Sequence, residues 1–229
     1  MLNVNINGNK KLQNNENVRY MIWNLPAVKT CPFRTEMCEK SCYARKAERV
    51  YPQVLPAREQ NYEDSLSVNF VYNMIHTIEK RLNSKAFSGK KCVFRIHESG
   101  DFYSMEYTRK WLDICKHFEG DERIVFLAYT KSISFFVALG YGRTCLPRTP
   151  ETDFPTNIVI RSSIWKDTAS DKITLTNVYE FPIYTALTPD EIDAERENGK
   201  KFAICKCENC STCGMCWKKD IKNITCKIH

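Results

Sequence analysis

Nine of the twelve cysteines in this chain fall in two crowded stretches, and they are the residues best equipped to do chemistry. The first stretch, TCPFRTEMCEKSCYA, carries Cys31, Cys38 and Cys42. The second begins ICKCENCSTCGMCW and carries Cys205, Cys207, Cys210, Cys213 and Cys216, with Cys226 beyond it. A thiolate is a metal ligand as well as a nucleophile, and outside oxidising compartments clustered cysteines point to metal rather than disulfides. Three thiolates on one loop can hold three corners of a four-iron cluster and leave the fourth iron open to a small molecule. They can also form an incomplete zinc site that a histidine or water completes. In the tail, Cys207, Cys210, Cys213 and Cys216 form C-x2-C-x2-C-x2-C, and ferredoxin-type runs begin C-x2-C-x2-C. Zinc ribbons set their two C-x2-C pairs on separate loops, so iron–sulfur is the first expectation for the tail and zinc the alternative. Cys205, Cys226 or His229 can replace a strained member of the run. Cys92 and Cys115 are expected in the core, and Cys145 is assigned no role.

The elements that must position these thiols alternate along the chain. Apolar runs at 20–28, 92–96, 123–129, 157–161 and 181–187 predict strands. Leu66, Phe70, Met74, Ile78 and Leu82, reinforced by Val71 and Ile75, predict one helix, with Ser88-Gly89 breaking the pattern. Tyr107, Trp111, Ile114, Cys115 and Phe118 predict one face of another. A short helix is expected around 132–139, ended by Gly140, and a capped acidic helix over 188–200. Short apolar strands alternating with helices imply parallel pairing. The expected fold is α/β, an incomplete (βα) barrel or open mostly parallel sheet with a Cys-rich C-terminal extension. Three segments follow: a polar arm (1–19), the partial barrel (20–187), and a linker helix with the Cys-rich tail (188–229).

Parallel α/β folds gather ligands at the carboxyl ends of their strands. The expected strand ends deliver His97, Glu98, Ser99, Gly100 and Asp101, then Lys131, then Arg161 and Ser163, beside the first cysteine group. Lys131, Asp101 and His97 are the candidate catalytic groups. Glu98, Ser99, Gly100, Asp101, Lys131, Arg161 and Ser163 are the candidate ligand-binding groups. Each has a structural reading as well: Asp101 as a helix cap, Arg161 paired with a carboxylate, Lys131 as a solvated loop lysine, His97 as a hydrogen-bonded core residue.

Composition narrows the class. With 43 % hydrophobic and 27 % charged residues the chain is of the soluble, folded kind. It has no apolar run of bilayer length and no signal-peptide pattern, so a cytoplasmic protein without membrane contact is expected. The formal charge of +7 counts every cysteine as neutral. Metal-bound thiolates offset most of that excess. Nucleic acid is therefore a permitted partner, and the basic segment KKDIKNITCKIH is its best support.

TCPFRTEMCEKSCYA, RIHESGDFYSMEYTRKW, FLAYTKS and the tail CxxCxxCW together resemble the phage-associated gene-product-88-like domain family, over roughly residues 20–229. A remoter resemblance is to radical S-adenosylmethionine (SAM) enzymes, which have a partial barrel, three cysteines after the first strand and often an auxiliary cluster in a C-terminal extension. Their usual spacing is C-x3-C-x2-C, whereas this chain has x6 and x3. That resemblance implies a 4Fe–4S cluster on Cys31, Cys38 and Cys42, and a second in the tail. SAM would chelate the open iron and yield a 5′-deoxyadenosyl radical on reduction by an electron donor. Glu98 to Asp101 would hold its amino group or ribose, and Lys131, Arg161 or Ser163 would meet its carboxylate. The expected function is thus an iron–sulfur enzyme acting with SAM or another small anionic ligand. The alternatives are a zinc- or cluster-stabilised binding module, and a SAM-independent redox or sulfur-transfer enzyme.

Overall fold

The computed structural model describes residues 1–6, 11–141, 154–206, 209–218 and 220–227. Cys145, Cys207 and His229 lie outside the described residues.

The strands are β1 (Val18–Trp23), β2 (Lys91–Ile96), β3 (Ile124–Thr130), β4 (Ile158–Ile164), β5 (Ile183–Leu187), β6 (Ala203–Cys205) and β7 (Asn223–Lys227). They form one seven-stranded sheet in the order β1-β2-β3-β4-β5-β7-β6. Every neighbouring pair is parallel. The sheet is curled and open, a half-barrel, as the alternation of strands and helices predicts. The helices are α1 (Glu36–Lys40), α2 (Tyr43–Val50), α3 (Val54–Leu66), α4 (Phe70–Leu82), α5 (Met105–His117), α6 (Ile133–Ala138), α7 (Ser170–Val178), α8 (Pro189–Glu197) and α9 (Cys210–Cys213). Among the described residues no helix is long and apolar enough to cross a membrane.

Strand alternation sorts the side chains onto two faces. Met21, Trp23, Cys92, Phe94, Ile96, Phe126, Ala128, Ile158 and Ile160 pack with the helices in the main core. Tyr107, Trp111, Ile114 and Cys115 of α5 are buried there, as their spacing predicts. The other face, here the inner face, carries Tyr20, Ile22, Val93, Leu127, Val159 and Ile224. What covers it is the tail: Cys205, Cys210, Met215, Cys216, Trp217 and Ile221 all pack against this smaller cluster.

Three differences from the sequence reading have local causes. The helix expected through Leu66 and Phe70 is two helices, because Ser67 turns extended (φ −60°, ψ 143°) and its hydroxyl accepts from Asn69 N–H at 3.2 Å. Leu66 is left half-exposed at the end of α3, while Phe70, Met74, Ile78 and Leu82 line the core. The tail is not only an extension, since β6 and β7 add two strands to the same sheet. The basic segment proposed for nucleic acid therefore includes strand β7, with Ile224, Thr225 and Cys226 buried. The polar arm also packs onto the body: Val4 is buried, Asn5 bridges to Ile22, and Asn14 Oδ1 accepts from Tyr20 N–H at 2.8 Å. The acidic helix forms as α8, with Thr188 and Glu191 making the reciprocal capping box.

Candidate functional site

The carboxyl ends of β1 to β4 open at one edge of the sheet, and the loop after β1 carries the first cysteines. That loop is zipped to the one after β2. Asn24 Oδ1 accepts from the N–H groups of Glu98 and Ser99 at 2.8 and 2.9 Å. The Ser99 hydroxyl donates to Leu25 O at 2.9 Å, and Leu25 N–H donates to Ser99 O at 3.0 Å. Gly100 sits at φ +83°, where a Cβ would lie 2.6 Å from Thr30 Oγ1 and 2.7 Å from Leu25 Cβ, so only glycine fits. Ser99 and Gly100 thus hold the loop rather than face a ligand.

Asp101 completes the frame. Its buried carboxylate accepts from the Thr130 hydroxyl at 2.5 Å, Phe102 N–H at 2.7 Å and Lys131 N–H at 3.0 Å. Burial nevertheless raises its pKa above the usual carboxylate range. His97 is turned away from the mouth. It lies in the helix-covered core at φ +62°, packed against Phe102, Tyr107 and Trp111, with Nε2 sharing a hydrogen bond with Tyr107 Oη at 2.9 Å. Burial, with Arg95 adding to it, pushes its pKa down to about 3, so it is neutral at physiological pH. The structural reading of His97 is the one the geometry favours.

Cys31, Cys38 and Cys42 are all half-buried. Burial first, then the charge of Asp101, pushes the Cys31 thiol up to about 12, and Cys38 and Cys42 are near enough to add to that rise. A thiol so held gives up its proton to a bound cation rather than to water. Thr35 caps α1 by accepting from Cys38 N–H at 3.2 Å, and Asp167 accepts from Met37 N–H at 2.8 Å, tying this loop to the one after β4. Tyr43 donates to Glu98 O at 2.5 Å, linking α2 to the mouth.

Between the loops lies a cavity of about 250 Å³, whose polar wall includes Arg34, Lys131, Ser163, Asp167 and Lys172. Lys131 Nζ donates to Ser163 Oγ at 3.1 Å and lies 5.5 Å from the Trp165 ring centroid. Lys172 Nζ donates to Ser134 Oγ at 3.2 Å and lies 4.1 Å from the Phe33 ring centroid. Arg34 is paired with Glu39 at 2.6 Å. Lys131 and Ser163 were expected at one mouth and do meet there. Arg34, Asp167 and Lys172 were missed, because they enter from loops and a helix start rather than from strand ends.

Arg161 departs from expectation. It shares the inner face with Val159 and is fully buried. Its guanidinium donates to the carbonyls of Cys216, Ile221, Lys218 and Met215 at 2.7, 2.9, 3.0 and 3.1 Å, and to Lys222 O at 3.5 Å. It organises the tail rather than meeting a ligand at the mouth.

On that inner face the tail thiols lie beside three tyrosines, Tyr20, Tyr129 and Tyr184. Burial first, then the charge of Cys216, raises the Tyr129 phenol, and burial and then Cys226 raise that of Tyr184. Cys205 and Cys226 are register partners on β6 and β7. Burial, then Cys216 and Cys213, pushes the Cys210 thiol up to about 11. Among the described residues no three His, Cys, Asp or Glu side chains are already drawn into a metal-holding arrangement. The sulfurs of each group sense one another's charge.

A family model described as gene product 88 matches residues 2–219. The Gene 88 protein of Mycobacterium phage D29 is 30 % identical over 105 residues, which cover 44 % of this chain and 42 % of that protein. The Gene 88 protein of Mycobacterium phage L5 is 29 % identical over 112 residues, covering 44 % and 43 %. The aligned region spans less than half the length of these curated relatives. No solved structure matches.

Proposed function

This chain belongs to the gene product 88 family, and we propose that it is an iron–sulfur enzyme of radical-SAM-like architecture acting on a small anionic ligand at the strand-end mouth. The observation that carries this reading is one loop that supplies three half-buried thiols and also walls a cationic cavity. Cys31, Cys38 and Cys42 would hold a four-iron cluster with one open coordination position. Cys210, Cys213 and Cys216, with Cys207 from outside the described residues, would hold a second. When bound, such a cluster supplies one-electron chemistry and a Lewis-acidic iron.

The chain's own residues would do the rest. Lys131, Arg34 and Lys172 offer positive charge to a carboxylate or phosphate, and Ser163 Oγ holds Lys131 in place by accepting a hydrogen bond from its ammonium. SAM is the ligand that the wider resemblance brings forward, and its carboxylate suits Lys131. Glu98 lies on the loop that Tyr43 ties to the cysteines, where it can accept from an amine.

The test is anaerobic reconstitution of the full chain with iron and sulfide, followed by quantification of both. Retained iron and sulfide, with the iron of one centre missing in Cys38→Ala, is the expected result. Uptake of zinc with no sulfide overturns it. Lys131→Met should weaken the binding of SAM about 10-fold or more in equilibrium dialysis, the loss of one charge-assisted hydrogen bond. Intact iron with no 5′-deoxyadenosine on reduction in the presence of SAM would shift the reading to a SAM-independent redox or sulfur-transfer enzyme.

A further inference from the structure

Among the described residues, two polar atoms on the inner face have no hydrogen-bond partner. Tyr20 is fully buried, and its hydroxyl has no hydrogen-bond partner. Arg95 Nη1 is also buried and unpartnered. A buried donor left unmade costs about 1–3 kcal/mol, more when charged, so two on one surface call for an acceptor.

Both sit where the tail thiols are. Arg95 lies between Ile22 and Leu127 in the register of β1, β2 and β3. Its guanidinium stacks 3.7 Å from the centroid of Tyr129, which packs against the same cluster as Cys216. Tyr20 belongs to the same buried cluster as Cys216, with Cys210 packed against it, and meets Trp217 edge-on at 6.0 Å. The charge of Arg95 reaches both Cys210 and Cys216, and Tyr20 senses Cys210, Cys213 and Cys216 together. Arg161 meanwhile supplies the donors to the loop's carbonyls, by five hydrogen bonds.

We propose that Tyr20 and Arg95 donate hydrogen bonds to the sulfur atoms of a metal centre held by Cys210, Cys213 and Cys216 on the inner face of the sheet. The proposal rests on the reading of the tail as a cluster site and adds the residues that position and stabilise it. Several thiolates and inorganic sulfides carry net negative charge and present accepting lone pairs. A guanidinium supplies both a counter-charge and a donor, and a phenol supplies a neutral donor. Such partners around a metal's ligands are commonly worth 10- to 100-fold in its retention. Arg95 and Tyr20 are positioning residues in this scheme, since neither touches substrate.

The experiment uses the full chain, reconstituted anaerobically with iron and sulfide, beside the same protein kept metal-free. Cys213→Ser defines the tail centre as the iron that disappears. In Tyr20→Phe and in Arg95→Gln, the tail iron should leave to a chelator about 10-fold faster than in the parent, while the first-loop iron leaves at the parental rate. Thermal unfolding adds a readout that a purely structural role would not give. Without metal, Tyr20→Phe should melt at or above the parental temperature, because it removes a buried hydroxyl that has no partner. With metal bound, the same variant should melt below it. That reversal of order is the signature of a donor used only by the centre. An unchanged chelation rate, with the same melting order in both states, overturns the role of these two residues. If Cys213→Ser loses no iron, the tail is not a cluster site, and the reading beneath this inference falls with it.

Discussion

The two cysteine loops are held by different means. The loop of residues 31–42 hangs at the strand ends on short-range contacts: a Thr35 cap, one bond from Met37 N–H to Asp167, and the zipper of Asn24 and Leu25 against residues 98–100. Its α1 has five residues and buries none of them. The loop of residues 210–222 lies against the sheet with Arg161 beneath it. One loop lies beside a cavity, while the other packs on the inner face of the sheet.

The largest expected effect comes from removing the buried cation. Arg161→Met keeps most of the volume but leaves the carbonyls of Met215, Cys216, Lys218, Ile221 and Lys222 without their donor. A charged hydrogen bond contributes about 1.5–3 kcal/mol, and relief of desolvating the guanidinium offsets part of the total. The expected loss is about 3–5 kcal/mol in urea unfolding at pH 7. Alkylation of Cys210 and Cys213 in the native, metal-free protein should quicken, with Cys31, Cys38 and Cys42 unaffected. A loss below about 1 kcal/mol would erase the contrast between the loops.

Much of this frame is legible in the chain's own letters. The strands around 92–96, 123–129, 157–161 and 181–187 appear within a few residues of expectation, because their apolar runs are unbroken and bounded by polar turns. The face of α5 follows from the spacing of Tyr107, Trp111, Ile114 and Cys115, and α8 from the Thr188–Glu191 capping box. The tail strands were invisible: β6 has three residues, and NITCK of β7 mixes polar and apolar side chains. The apolar run ending at Arg161 predicts a strand end at the mouth, whereas β4 runs on to Ile164. Alternation carried one step further would have put Arg161 on the face opposite Ile158 and Ile160. The same parity places Arg95 opposite Phe94 and Ile96, and so marks it as a cation facing the tail thiols. Gly100 and Asp101 were noticed for their chemistry, but their neighbours across the loop, Thr30 and Leu25, are not readable from spacing.

Acid separates the two regions next. Arg161 stays charged from pH 7 to pH 5, whereas the helix-covered core behind the mouth holds an imidazole that must stay neutral. Burial holds His97 at about 3 in the folded state, against roughly 6.5 when unfolded. The unfolded chain therefore binds the proton more tightly between those values. Stability is fully present above about pH 6.5 and is lost as pH falls toward 3. The drop from pH 7 to pH 5 should be about 2 kcal/mol in urea unfolding. His97→Asn, which tolerates the left-handed backbone and does not titrate, should flatten this component of the curve whatever its starting stability. An identical slope in the variant would mean that another group carries the acid response.

The smallest effect sharpens the comparison most. Burial raises the Asp167 carboxyl, but bonds from Met37 N–H and the Thr35 hydroxyl outweigh it and hold the group below the usual carboxylate range. Asp167 thus acts as an exposed anchor for the cysteine-bearing helix α1. Asp167→Ala removes one capping-type contact and should cost about 1 kcal/mol or less globally. Locally it should do more. In native, metal-free protein, the half-buried Cys31, Cys38 and Cys42 should alkylate several-fold faster, because the first loop has few other ties. Cys210 and Cys216, behind Arg161, should react at the parental rate. If both sets accelerate together, the loops are coupled through the sheet and the mouth does not open on its own. If only the first set responds, access to the cavity is governed at Asp167, the residue that closes the gap between the cysteine loop and the loop after β4.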